Sequence, residues 1–339
     1  LLAVTLGITT STLLVTSSSH WLMAWLGLEL NMISFLPMIT KPKHPRATEA
    51  ATKYFLVQAV ASSLMLFSST LNAWQTGSWN IMQLDNQLSY TLMISALAMK
   101  MGAAPAHFWL PEVLQGSTLT TSLLITTWQK VAPVTLLYMM SGHNQQNTML
   151  IIGMLSILVG GWGGINQTQL RKMMAYSSIA HLGWTMTAMS AAPNIALLNI
   201  MIYMITSTPV FLMLSTASAK TLQTIATAWS SSPISNALLM LLLLSMAGLP
   251  PLAGFTPKLL ILNMLVMHKL TLPAAAMALL SLLSLVFYLR TTYLLISMTP
   301  PATAHSKTLW RLKTLHSQAT AILMPLALFN ITILPALMF

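Results

Sequence analysis

Apolar runs of about twenty residues recur along the whole of this sequence, and their length limits the fold more than any other feature. Breakers and polar links delimit eleven of them, at 1–17, 21–40, 53–74, 89–113, 118–140, 148–166, 173–191, 195–217, 235–268, 273–297 and 319–338. A helix rising about 1.5 Å per residue needs about twenty residues to cross the hydrocarbon core of a bilayer. In lipid every backbone N–H and C=O must find a partner, which leaves helices and closed barrels. Runs this long without strict alternation specify helices. Only 6% of the residues are charged, against about 25% in soluble domains. The chain therefore reads as an all-α, polytopic membrane protein of about eleven transmembrane helices.

Charge is distributed by topology. The net charge of +11 comes from 15 Lys and Arg set against four acids, Glu29, Glu49, Asp85 and Glu112. With spans alternating in direction, the links after the second, sixth, eighth and tenth hold Lys41, Lys43, Arg46, Lys53, Arg171, Lys172, Lys220, Lys307, Arg311 and Lys313. The opposite side holds Lys269, together with Asp85. Ten basic residues against one is a positive-inside asymmetry, so the amino terminus is expected inside and the carboxyl terminus outside. A basic balance arranged in this way argues against a nucleic-acid partner. The absence of cysteine excludes disulfides, thiolate metal sites and iron–sulfur ligation within the chain. Methionine, at 27 residues, lies mostly in the apolar runs, where a flexible thioether fills gaps. Leu1 to Thr16 lacks a basic n-region and reads as the first span, and a start on Leu suggests that residues precede it. The glycines of GGWGG (Gly160 to Gly164) lack the strand and lysine of a phosphate loop and read as helix termination.

Four cations fall inside spans: Lys100, Lys130, Lys258 and Arg290. Lys100 follows about eleven weakly polar residues from Ser89, which places it about 16 Å deep. Gly102 and Pro105 follow it, and proline lacks the N–H that would continue the ladder, so the helix should open there. Lys258 lies in MAGLPPLAGFTPKLL, whose prolines make a continuous helix untenable. Lys130 lies midway along the fifth run in TTWQKVAP, where Pro133 leaves the carbonyl of Gln129 without its helical donor. Glu29 is the one acid in a span interior. Charges at such depth, beside interrupted backbone, are tolerated where protein or water surrounds them, and they mark ion pathways.

An organisational repeat accompanies these residues. Residues 1–140 and 148–297 each supply five spans, the fourth of each set being broken (89–113 and 235–268) and carrying a lysine. The offset of five spans is odd, so the sets cross in opposite senses, as inverted repeats with discontinuous helices do. A basic positive-side loop (298–318) and a C-terminal helix (319–339) complete the expected organisation.

The motifs SSHWLMAWLGLELN (Ser18 to Asn31), TEAATKYFLVQA (Thr48 to Ala59), KMGAAPAHFWLPEVLQG (Lys100 to Gly116), TWQKVAP (Thr127 to Pro133), GGINQTQLRKMMAYSSIAHLGW (Gly163 to Trp184) and GLPPLAGFTPK (Gly248 to Lys258) resemble the antiporter-like membrane subunits of respiratory complex I, the NADH:ubiquinone oxidoreductase. The AYSSIAHLG and LPPLAGF blocks also resemble multi-subunit sodium/proton antiporters. The resemblance is weakest from Ser297 to Ser317. It implies a proton-translocating membrane-arm subunit in the mitochondrial inner membrane, with its amino terminus in the matrix and its carboxyl terminus in the intermembrane space. NADH, FMN, iron–sulfur clusters and ubiquinone would belong to partner subunits, with no cofactor or metal in this chain, and neighbouring antiporter-like subunits would be partners. By motif, Glu29 would be the acid paired with Lys100, Lys130 the central carrier, and Lys258 the residue nearest the exit or the next subunit.

The chemistry is consistent with those roles. Free lysine, at about 10.4, stays charged at ambient pH, but burial disfavours the ammonium and a carboxylate within about 4–6 Å favours it. A lysine whose acid can move away switches between holding and releasing a proton. The alternatives are a static Glu29–Lys100 bridge, a Lys130 solvated by carbonyls, and a Lys258 that snorkels to an interface. His181 and His107 are secondary relay candidates or packing histidines. Arg290 does not deprotonate, so it is expected as an ion-pair anchor or an electrostatic barrier. Glu112 and Asp85 are expected at or beyond interfaces. Lys307 to His316, with Trp310, is either a surface for anionic lipid such as cardiolipin or a solvated loop. Two further functions are carried forward: a structural and assembly subunit without its own proton path, and an independent cation/proton antiporter, disfavoured by the scarcity of acids.

Overall fold

A computed structural model describes residues 2–84, 86–142, 146–227, 233–297 and 318–329. The regular elements among them are helices: α1 (Leu2–Ser17), α2 (Trp21–Thr40), α3 (Pro45–Thr76), α4 (Gln87–Met101), α5 (Trp109–Gly116), α6 (Leu119–Thr126), a 3₁₀ turn (Trp128–Lys130), α7 (Val131–Met140), α8 (Gln146–Ile165), α9 (Leu170–Ala191), α10 (Pro193–Thr216), α11 (Leu222–Thr227), α12 (Pro233–Ala247), α13 (Phe255–Met267), α14 (Thr271–Ser297) and α15 (Gln318–Phe329). Five of them, α2, α3, α8, α10 and α14, are long and apolar enough to cross a membrane. Asp85, the 298–317 loop with Lys307, Arg311, Lys313 and Trp310, and the last residues of the final predicted span lie outside the described residues.

The links gather at two ends of the bundle. At one end His20 bridges Asn80 and the Tyr138 hydroxyl donates to Asn194 at 3.1 Å. At the other, Gln169 bridges Thr221, the Arg171 guanidinium donates to the Ser117 carbonyl, and Gly116 packs on the backbone of Arg46. Links after odd-numbered and even-numbered runs thus separate, as alternating spans require. The second end carries Arg46, Arg171, Lys172 and Lys220.

Three local expectations differ. Helix α3 starts at Pro45, well before the expected residue 53, because His44 is extended and its side chain accepts from the Arg46 N–H, with proline in the first turn. Lys53 is therefore helical, not in a link. The GGWGG glycines are still helical and form the last turn of α8, which ends at Ile165, and they pack as well as precede that end: a Cβ at Gly160 would meet the Ala180 backbone nitrogen at 2.6 Å, and one at Gly164 would meet the Phe287 ring at 2.7 Å. They let α9 and α14 approach α8 closely, the usual role of small residues between membrane helices. The fifth run is not one continuous helix but α6, a 3₁₀ turn and α7. Pro133 supplies no donor to the preceding turn, so the ladder re-forms only beyond it. Together with the expected gaps between α4 and α5 and between α12 and α13, the described residues contain three interruptions, and each carries one of the span lysines.

Candidate functional site

Helix α4 ends where Gly102 adopts φ +80°. Its N–H reaches the Ala98 and Met99 carbonyls, and a Cβ there would meet Leu110 at 2.7 Å. The carbonyls freed by the break are met by side chains: Trp109 Nε1 donates to Met99 at 3.1 Å, and Gln58 Nε2 donates to Lys100 at 3.2 Å. The opening is thus held within protein, as a break at that depth requires. Lys100 is 6% exposed.

At the second interruption Lys130 ends the 3₁₀ turn and is 3% exposed. Its Nζ donates to the Ser178 carbonyl of α9 at 3.3 Å and lies 5.1 Å from the centre of the Tyr203 ring. The Tyr203 hydroxyl faces Ser178, Thr126 and Ser207. At the third, Gly248 has φ +85°, and Lys258 reaches back from α13 to donate to the Ala247 carbonyl at 2.8 Å. Its Nζ stands 5.9 Å from the Trp184 ring, and the residue is 8% exposed. Lys258 therefore does not snorkel, because the carbonyl at the end of α12 and the Trp184 face hold the ammonium inside.

Two small cavities border Lys130. One, of about 20 Å³, is bounded by Lys100, Lys130, Asn31, Gln58, Gln129 and Tyr54 among others. That exceeds the roughly 10–15 Å³ needed for one water, and several polar groups share its wall with Leu28, Met32, Met101 and Ile125. Gln129 Nε2 donates to Asn31 Oδ1 across it at 3.1 Å. The second, of about 10 Å³, lies on the other side of Lys130, against His181, Thr126, Thr185 and Tyr203. His181 packs against Tyr203 with ring centres 4.8 Å apart and planes tilted by 34°, beside the Met246 backbone and within electrostatic reach of both Lys130 and Lys258. Lys130 thus shares one cavity with Lys100 and the other with His181, and Lys258 acts electrostatically on His181.

The other candidates take different places. Glu29 is half-buried and bears electrostatically on Lys100 and Tyr54, but no ion pair links it to Lys100 among the described residues. Lys100 borders the cavity together with Gln129 and Lys130, and Asn31, two residues beyond Glu29 on α2, lines it as well. His107 lies in the first break, its Nδ1 3.1 Å from the Pro105 carbonyl and its ring against Phe108, away from both cavities. Arg290 is exposed and donates to the Ile165 carbonyl at 2.6 Å. It caps the end of α8 and, among the described residues, anchors no ion pair. Helix α14 is 27 residues long, and Arg290 lies about 28 Å along it, near the basic end and not in the interior. Glu112 is half-exposed at the start of α5, where Lys53 binds it at 2.6 Å and Glu49 at 2.5 Å.

Sequence reasoning passed over Asn31, Gln58, Gln129, Ser178 and Tyr203. The signal was present for the three amides, which are strongly polar groups inside apolar runs. Ser178 contributes only a backbone carbonyl, which no side-chain pattern announces.

Residues 18–287 match the family described as NADH:quinone oxidoreductase/Mrp antiporter, transmembrane. The chain belongs to this family. Among its relatives is the NADH-ubiquinone oxidoreductase chain 2 of Xenopus laevis, 50% identical over 93% of this chain and 90% of that protein. The protein of the same name from Latimeria chalumnae is 50% identical over 95% of this chain and 91% of its own length. A chain of respiratory complex I from Thermus thermophilus superposes with a TM-score of 0.83 at 24% identity, covering 98% of this chain and 78% of that one. A chain of the Mrp complex from Dietzia sp. DQ12-45-1b gives 0.81 at 14% identity, covering 98% and 75%. At those identities the likeness is one of fold. Members of the NADH:quinone oxidoreductase/Mrp antiporter family are multi-pass helical membrane proteins, and this chain shares that architecture.

Proposed function

We propose that this family member is a proton-translocating membrane-arm subunit of a respiratory NADH:ubiquinone oxidoreductase, placed as chain 2. Its protons move along Lys100, Lys130, His181 and Lys258, with Glu29 biasing Lys100 through its field. One observation carries the reading: Lys130 borders both cavities, the water-sized one shared with Lys100 and the smaller one shared with His181. A buried amine between a water-sized cavity on the Lys100 side and a smaller gap on the His181 side can take a proton from one side and give it to the other once its contact with the Ser178 carbonyl loosens. Lifting a charge through 100 mV costs about 2.3 kcal/mol, about what a shift of two pKa units represents.

The same reading assigns redox chemistry with NADH, FMN, iron–sulfur clusters and ubiquinone to partner subunits and places further antiporter-like subunits at the flanks. It takes the chain as eleven spans in two inverted sets of five plus one, in the mitochondrial inner membrane with its amino terminus in the matrix. The breaks between α4 and α5 and between α12 and α13 occupy corresponding places in the two sets, which supports it.

A second reading rests on a different observation. Lys130 and Lys258 each donate to a backbone carbonyl beside an interruption, so they serve equally as caps in a scaffold subunit with no proton path. Lys130→Met in the assembled complex separates the two. The proton path requires a fall in protons moved per electron pair or in coupled turnover, whereas the scaffold reading requires both to be unchanged in whatever complex assembles.

A further inference from the structure

The basic end of the bundle contains an open cleft of about 630 Å³, remote from the lysine file. Its walls come from the α2–α3 link, the α5–α6 turn, the start of α9 and the α10–α11 link, and they bring Arg46, Arg171, Lys220 and His44 together. No carboxylate lines it. Among the described residues the acids are otherwise placed: Glu49 and Glu112 both bind Lys53 in the neighbouring hollow, and Glu29 lies within α2.

Arg46 also borders the hollow of Glu49 and feels its field, but no carboxylate lines the cleft beside Arg171 and Lys220, so an anion there would offset the repulsion among these cations. Arg171 is fixed at the wall by its bond to the Ser117 carbonyl, which uses one of a guanidinium's five donors. The first turn of α6, capped by Thr118, also opens onto the cleft, adding the positive end of a helix dipole. Guanidinium forks suit tetrahedral oxyanions better than single charges. Pro42 and Leu119 give the cleft an apolar flank. The volume falls within the 300–1,000 Å³ typical of small-molecule sites.

We infer that this cleft binds a phosphate-bearing anion, and its level at the ends of α2 and α10 favours the headgroup of an anionic phospholipid over a soluble phosphate. The inference does not depend on the proton path. The test uses the intact complex containing this chain, delipidated in neutral detergent. Binding is measured for phosphatidylglycerol, phosphatidylcholine and inorganic pyrophosphate, with Arg46→Gln, Lys220→Gln and their combination. Both positions are exposed, so the variants leave the packing intact. Each basic residue near a membrane surface changes affinity about fivefold, so the double variant should bind phosphatidylglycerol about thirtyfold more weakly, while phosphatidylcholine binding is unaffected. Pyrophosphate binding that is lost in the same variants upholds the anion site and names a soluble source. Binding of either anion that is indifferent to all three variants, or binding of neither, overturns the inference.

Discussion

The contact between Gln129 and Asn31 offers the most discriminating perturbation of the proposed path. Gln129→Leu removes the donor 3.1 Å from Asn31 Oδ1 and leaves a 3%-exposed asparagine with an unmatched acceptor. An orphaned buried polar group costs about 1–3 kcal/mol. The same substitution strips one polar wall from a cavity of about 20 Å³, and a water held there needs two to four polar partners. Charging the same 1–3 kcal/mol to the step between Lys100 and Lys130 predicts a slowing of about 5- to 150-fold, at a factor of ten per 1.4 kcal/mol. Asn31→Leu combined with Gln129→Leu separates stability from transport. Replacing both partners of a buried hydrogen bond by apolar groups of similar size is nearly neutral, so the double variant should regain thermal stability and still transfer protons slowly. The assay is proton uptake into vesicles against coupled oxidoreductase turnover, with melting of the assembled complex followed in parallel. Full proton stoichiometry and turnover in the double variant would refute the water-linked path between these two lysines.

Other expectations follow from single contacts. Lys258→Met should destabilise the third interruption by about 1–3 kcal/mol, because the Ala247 carbonyl loses its donor, and Lys258→Arg should recover part of that stability without recovering turnover, since a guanidinium does not release its proton; melting and pumping read the two effects. Gly160→Val should lower the yield of assembled complex, a Cβ there meeting the Ala180 backbone at 2.6 Å, with overpacking of this kind costing about 1–3 kcal/mol. Lys53→Gln should change neither melting nor turnover measurably, because its two ion pairs are largely exposed. His107→Gln should leave pumping near its parent value, since the ring borders neither cavity, whereas His181→Gln should depress it.

Local chemistry in the sequence was enough for much of this architecture. The length of the apolar runs dictates helices, Gly102 and Pro105 end α4 beside Lys100, and the GLPPLAG segment separates α12 from α13 before Lys258, because run length and missing N–H groups act within a few residues. Tertiary structure decided where the charged tips point. Lys130 meets the carbonyl of Ser178, Gln129 meets Asn31, and Arg290 reaches the end of α8, all across long sequence separations that no local periodicity encodes. It also decided that GGWGG is a packing surface, because which neighbour presses against a helix depends on the packed arrangement: Ala180 of α9 and Phe287 of α14 meet those glycines, and no run length or local period in the sequence names either partner.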